Sequence, residues 1–407
     1  MKLLRVLQLF WLFVLVVLLF FITVPIVAAF KSNIYDMCII TTFMLNGIII
    51  LCLLIAEVRK RPYSLAMIHW VFCLFFLVFA ATSQYITKSF CWDVKPSDEL
   101  IFRANIVCFI WIVCFTLGLH CKNTYKHTLK MSNNTVAVGG VQRIKKRQTL
   151  FLVINVILTA YQLAKYGFSG NLVRGSSMVK IEISSLGMLV GHCLMAFMTL
   201  TTVSSALLMR KRKKYRLFFA VNIACMLLTY FPTVMARNSL AGAYGGIFIA
   251  LFPKLKKNRK FILILIMGLL IIFPMFNAFR YTAFSNVDAV SAFELSLSNM
   301  PLMWQHPDFD AYSVLLMSLE YTEKSGSTHG WQLFGALMFW WPRVLWPSWL
   351  PEKPGGSGHY LAKSKGNSFT NISCTPAAEG NINFGIIGVV AFGLVFGAIV
   401  GAIDRCY

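Results

Sequence analysis

Residues 217–253 read LFFAVNIACMLLTYFPTVMARNSLAGAYGGIFIALFP, and they lie between two basic clusters, RKRKKYR ending at Arg216 and KLKKNRK beginning at Lys254. Crossing about 30 Å of hydrocarbon takes about 20 apolar residues in a helix. One span across this stretch would put the two basic clusters on opposite sides of a membrane. Two short spans meeting at Arg237-Asn238 keep both clusters on one side, as expected when Lys and Arg gather on the cytoplasmic face. The hairpin reading places Arg237 at the outer surface. There its guanidinium either snorkels to lipid headgroups or belongs to an anion site inside a cavity.

Working outward, the same logic organises the whole chain. The 407 residues are 58% hydrophobic and 13% charged, with mean hydropathy +0.69. A soluble domain carries about 25% charged residues. Apolar runs of span length recur at 7–30, 37–57, 64–86, 101–120, 149–166, 184–208, 217–235, 238–253, 261–279 and 382–403. The first run is longer than the 7–15-residue core of a signal peptide and lacks a small-residue cleavage site, so it reads as a retained span. With the N-terminus inside, the inner segments hold 24 of the 38 Lys and Arg but 2 of the 15 Asp and Glu. The reverse orientation would put nearly all the excess charge outside. The net charge of +23 is therefore a topology signal and gives no reason to expect nucleic acid as a partner. The expected fold is an all-α polytopic membrane protein of about ten transmembrane helices. It has nine spans over 1–279, one large outer loop over 280–381 with amphipathic and interfacial helices, and a final span with a short inner tail over 382–407.

Most cysteines fall inside apolar runs, where they act as small core residues. Only Cys91 and Cys374 lie in expected outer loops, the one pair open to a disulfide. No Cys/His set has metal-ligand spacing, and no metal or other cofactor is expected. Gly242 and Gly246, and again Gly393, Gly397 and Gly401, have the small-xxx-small spacing of helix packing faces. The inner segment 121–148 reads as a basic, flexible loop.

The outer loop holds 8 of the 15 acidic residues. Within it PDFDAYSVLLMSLEYTEKSG predicts an amphipathic helix with Phe309, Tyr312, Leu315, Leu316 and Leu319 on one face. Asp308 and Asp310 sit where acidic side chains complement a helix N-terminus. WQLFGALMFWW (331–341) is too short to span and stops at Pro342. Its tryptophans Trp340 and Trp341, with Trp346 and Trp349, belong at a water–lipid boundary. Residues 331–350 thus read as an interfacial or re-entrant element with Arg343 at phosphate depth, and the following EKPGGSGHYLAK as a mobile polar lid. Arg237, Arg280 and Arg343 would then stand at headgroup level beside carboxylates and aromatic faces. Arginine pairs bidentately with phosphate, aromatic faces suit sugar rings, and a carboxylate can take a proton from a hydroxyl.

The segments ARNSLAG (236–242), NAFRYT (277–282), HPDFDAY (306–312), HGWQLFGALMFWWPRVLWPSWLPEKP (329–354) and EGNINFGIIGVVAFGLVFG (379–397), in that order, resemble the Wzy-type polymerases of O-antigen or oligosaccharide repeat units in bacterial inner membranes. The resemblance covers roughly 236–400, and the first half of the chain matches only as a generic set of spans. It implies a C-type glycosyltransferase-like helical bundle with an outer, periplasmic cavity. The substrate it implies is an undecaprenyl-pyrophosphate-linked oligosaccharide, whose growing chain passes to the non-reducing end of a new lipid-linked unit. The partners it implies are the membrane lipid, a flippase and a chain-length regulator. Arg237, Arg280 and Arg343 would hold the pyrophosphate. Glu379, Asp308, Asp310 and His329 are candidates for the proton transfer, with Glu379 favoured because it stands at the mouth of a span. The alternative role for Glu379 is to cap the last helix or pair with an arginine. Trp340, Trp341, Trp346, His359 and Asn383 would contact glycan or lipid. An O-antigen ligase, a flippase for the same lipid-linked units and an anchoring membrane protein are the competing expectations. The chain reaches Tyr407 just after the tenth span, where such polymerases often carry further spans.

Overall fold

A computed structural model describes residues 34–61, 64–121, 138–170, 185–232, 235, 237–252, 304–338, 341, 345–351, 353, 355–367 and 372–406. Every regular element among them is helical. The runs at 7–30 and 261–279 lie outside the described residues. Five described helices are long and apolar enough to cross a membrane: Asp36–Lys60, Leu65–Thr87, Asp98–His120, Val190–Lys211 and Pro376–Arg405. The chain forms two compact units, one built from Met1–Leu129 with Pro301–Tyr407 and the other from Lys130–Met300.

The first unit contains α1 (Ile34–Lys60), α2 (Leu65–Thr87), α3 (Asp98–His120), α8 (Ala311–Ser325), α9 (Trp331–Leu337), α10 (Ser357–Ser364) and α11 (Pro376–Cys406). Local chemistry fixes the helix starts. Ser64 Oγ accepts from Met67 N, and Ser97 Oγ accepts from Leu100 N ahead of Asp98 and Glu99. Each accepts from a backbone donor that an isolated helix end leaves unsatisfied. Helices α3 and α11 run side by side in the same direction. A Cβ on Gly393 would stand 2.8 Å from Cys114 Cβ and one on Gly401 2.6 Å from Leu119 O. One on Gly397 would collide with Phe115 O, and one on Gly118 with Leu394 O. The glycine spacing therefore marks a true contact in the last span, where the two backbones touch. Gly242 and Gly246 make no such approach: nothing lies within 4 Å of a Cβ at Gly242, and only Val203 Cγ2, at 3.8 Å, is near one at Gly246.

At the far end of α11, Asp404 closes the start of α2. Its carboxylate accepts from Leu65 N at 2.7 Å and Ala66 N at 3.0 Å, while Arg61 Nη1 donates to Asp404 O at 2.7 Å. The basic Arg59–Arg61 turn and the end of α11 therefore share one end of the unit. Residues 88–97, 304–310 and 372–383 share the other. Asp404→Ala is expected to cost about 0.5–2 kcal/mol, the usual worth of an N-cap, read as a lower unfolding midpoint in nanodiscs.

Helix α8 and the 3₁₀ turn before it carry the predicted stripe, since Phe309, Tyr312, Leu315, Leu316 and Leu319 are all buried. Burial extends further than an amphipathic helix allows, because Ser313, Val314, Met317 and Ser318 are buried as well. The serines enter the core already bonded. Ser313 Oγ donates to Gln84 Oε1 and accepts from Cys91 N, and Ser318 Oγ donates to Leu315 O. Tyr312 donates to Ile101 O and Asn105 Oδ1 on α3. This helix is buried on more than the one face that the amphipathic reading expected. Part of α2, Cys73–Phe79, is π-helical, and its Phe75 and Phe76 meet Trp304 and Phe309.

The second unit contains α4 (Val138–Gly170), α5 (Ser185–Lys211), α6 (Arg216–Thr229) and α7 (Arg237–Leu251). The first residues of α4 fall in the stretch expected to be a flexible loop. The short helices α6 and α7, of 14 and 15 residues, leave a break in the 217–253 stretch between Thr229 and Arg237. Met226, Met235, Ala243 and Ile247 form its core. Polar bonds reinforce the packing: Asn155 Nδ2 reaches Thr201 Oγ1 and Asn222 Oδ1, and Tyr244 donates to Tyr230 O. Such pairs hold helices together where the surroundings are apolar.

Candidate functional site

The site is organised by a break in α11. Phe384 (φ −141°, ψ 16°) and Gly385 (φ 62°, ψ −148°) leave the helical conformation, and Gly385 adopts a left-handed φ that L side chains resist. The short arm before the break folds against the main helix. Gly380 and Gly388 face each other so closely that a Cβ on Gly380 would stand 2.6 Å from Gly388 O. The EGNINFG run (379–385) is thus the sequence of a folded-back helix start.

Asn383 locks the break to the turn before α9. Fully buried, it donates from Nδ2 to Glu379 O at 2.9 Å and accepts at Oδ1 from Leu333 N at 2.9 Å. Thr328 N donates to Ile382 O, and Gly330 N to Asn383 O. That makes Asn383 a structural tie between two of the motif segments. Asn381 does the same toward α8, donating to Thr322 Oγ1 at 3.1 Å and Ser318 Oγ at 3.3 Å.

Glu379 is half-buried. Its Oε1 accepts from Ser357 Oγ at 2.7 Å and from Asn383 Nδ2 at 3.4 Å. The bond from Ser357 docks α10 beside it, with Leu361 and Ala362 buried. The stretch expected to be a mobile lid therefore contains a docked helix. It is tied also by the Tyr321–Tyr360 hydroxyl pair at 2.8 Å and by a Lys365–Glu320 ion pair.

Asp310 ends the short 3₁₀ turn Pro307–Phe309 but does not cap α8 with its side chain. Its Oδ2 accepts from Trp92 Nε1 at 2.8 Å instead. Trp92 and Asp93 both have positive φ, 63° and 51°, which costs about 1–3 kcal/mol per residue and needs surroundings that hold it in place. Burial pushes the Asp310 carboxyl up to about 6. The Trp92 bond opposes that rise and the charge of Asp308 adds to it. Asp308 in turn stands 2.8 Å from His306 Nδ1. The Cys374 thiol is pushed well up, by burial first, then by Glu379 through charge and a hydrogen bond, and by the charge of Asp310. Both carboxylates therefore act on one half-buried thiol. Cys91 is pushed up to about 12 by burial and by Asp310. Cys91 and Cys374 are both free thiols in this structure, not the disulfide that their loop positions allowed.

The remaining expected residues divide. His329 is exposed on a left-handed turn (φ 49°) with Nδ1 3.5 Å from Ser327 Oγ, and His359 is exposed on α10 beside Gly355. The aromatic loop closes on itself: Trp346 packs on Trp331 and Phe334, Trp346 Nε1 donates to Pro351 O, and Trp341 Nε1 to Leu345 O. Lys353 lies 5.8 Å above the Trp346 ring, and Trp349 is 80% exposed. The described helix of this element is Trp331–Leu337. Arg237 opens α7 in the second unit. Arg280, Trp340 and Arg343 lie outside the described residues.

Three features escaped the sequence reading. Trp92 and Ser357 hold the two carboxylates. Arg103, within a span, pairs with Glu323 at 3.0 Å beside a cavity of about 570 Å³ between α3, α8 and the α11 break. Among the described residues no group of three His, Cys, Asp or Glu side chains could hold a metal ion. No family model matches the chain, and no curated protein or solved structure matches it.

Proposed function

We propose that this protein is a membrane glycosyltransferase that polymerises oligosaccharide repeat units carried on a polyprenyl pyrophosphate. One observation carries the reading. Segments 329–354 and 379–397, which bear the resemblance to Wzy-type polymerases, are joined at the α11 break by Asn383, and helix α8, which continues from segment 306–312, is joined to the same break by Asn381. They gather Asp308, Asp310 and Glu379 at one end of a bundle of membrane-length helices.

In this reading Asp310 is the base. A carboxyl near 6 is ionised at neutral pH yet basic enough to accept a proton usefully. The acceptor hydroxyl oxygen bonds to the anomeric carbon of the donor glycan as its proton passes to Asp310. The bond from that carbon to the pyrophosphate oxygen breaks, and polyprenyl pyrophosphate leaves with the electron pair. The resemblance alone assigns Arg237, Arg280 and Arg343 to the charge that develops on the leaving group. Glu379 holds Ser357 and the helix break in register, and Trp341, Trp346 and Trp349 face glycan or lipid. The site is assigned to the outer face of a bacterial inner membrane.

The test is to incubate the purified protein in nanodiscs with its host's polyprenyl-pyrophosphate-linked repeat unit. A ladder of multiples on a gel, absent for Arg280→Ala, is the expected result. Unchanged substrate overturns the polymerase, and transfer to lipid A-core in its place identifies a ligase.

A further inference from the structure

The cavity between α3, α8 and the α11 break has two kinds of wall. Ile106, Val107 and Ile110 on α3, with Ile386 on α11, form an apolar side, and Ile106 and Ile386 are exposed on the surface of membrane-length helices. Arg103, Glu323, Thr322 and Asn381 form the polar side. Its geometry suits an amphiphile with its chains along the isoleucines and its head toward α8.

The charges narrow the class. Arg103 Nη1 and Glu323 Oε1 are 3.0 Å apart, and each side chain is about half exposed, 44% and 54%. A pair so exposed contributes only about 0–1 kcal/mol, so a ligand can part it at little cost. An anionic head would satisfy Arg103 but then face Glu323. A head with both charges satisfies the two sides at once. We propose that this cleft binds a zwitterionic phospholipid bearing a primary ammonium, with its phosphate on Arg103 and its ammonium on Glu323. The phosphate takes guanidinium hydrogen bonds, and the ammonium donates to the carboxylate, which a quaternary ammonium cannot do. The site is independent of the assignment of Asp310 and of the reaction.

The experiment is native mass spectrometry of the full-length protein. After delipidation in detergent, it is given equal amounts of a phosphoethanolamine and a phosphoglycerol lipid of matched chains. The wild type is expected to retain the phosphoethanolamine lipid about tenfold over the other, about 1.4 kcal/mol of discrimination. Glu323→Gln should bring the ratio near one, and Glu323→Lys should invert it. The inversion is a gain of binding that misfolding cannot imitate. Equal retention by the wild type, a preference unchanged in Glu323→Gln, or displacement of both lipids by added polyprenyl pyrophosphate would each overturn the proposal.

Discussion

Asp310→Asn is expected to lower the rate of repeat-unit transfer by about 10²–10⁴-fold, the usual contribution of a positioned general base, without loss of folded protein. The two halves of this expectation follow from the same burial. The folded carboxyl titrates near 6, above its ordinary value of 3.8. A raised value means that folding favours the neutral form. The stability this group contributes is therefore fully present below about pH 4 and is lost as pH rises through 6. At pH 7.5 the charged carboxylate is a net cost that an amide removes, while the amide oxygen can still accept from Trp92 Nε1. The variant should melt at or above the wild-type temperature at pH 7.5, and the difference should vanish near pH 4. Wild-type activity should rise through about pH 6 on its acid limb. Full activity in Asp310→Asn together with a dead Glu379→Gln would move the base to Glu379.

The other large effect is at the α3–α11 seam. Gly397→Val is expected to destabilise the protein by about 3 kcal/mol or more, at or beyond the upper end of overpacking costs. The obstacle is the Phe115 carbonyl, which is backbone and cannot rotate away as a side chain could. Gly242→Val is the control. Nothing lies within 4 Å of its Cβ position, and no comparable loss should appear. Unfolding in nanodiscs followed by tryptophan fluorescence reads both. Equal effects from the two substitutions would refute the direct backbone contact of α3 and α11.

These two glycine sets show where the sequence is and is not legible. Their spacing is alike, yet only one faces another backbone, because spacing reports a face and not its neighbour. Span-length helices such as α2 and α3 could be read directly, since about 20 apolar residues have few other fates. The break between α6 and α7 lies in the stretch where the two flanking basic clusters had called for one. Helix α8 was legible as a helix but not as a buried one. Ser313 and Ser318 look like a solvent face until their inward bonds are known. The docked α10 was hidden by its Gly- and Pro-rich approach. Arg103 passed unnoticed within an apolar run, and Trp92 within a short turn, because their roles depend on Glu323 and Asp310, more than 200 residues away in the chain. Asp308, Asp310 and Glu379 could be named as candidates from their residue types, but the Cys374 thiol on which Asp310 and Glu379 act and the tie through Asn383 exist only in three dimensions.

The α3–α11 seam also sets a clock. Arg405 Nη1 donates to Leu119 O across 286 residues of sequence. At about 5–20 residues per second, roughly 15–60 s separate the synthesis of these two partners. Throughout that interval α3 waits in the bilayer with Gly118 unfilled, and the first turn of α2 lacks the carboxylate of Asp404. The first unit closes only when α11 is inserted. Ribosome-bound chains halted before α11 should therefore be the ones that quality-control proteases recognise, whereas the second unit, continuous in sequence, can mature before them.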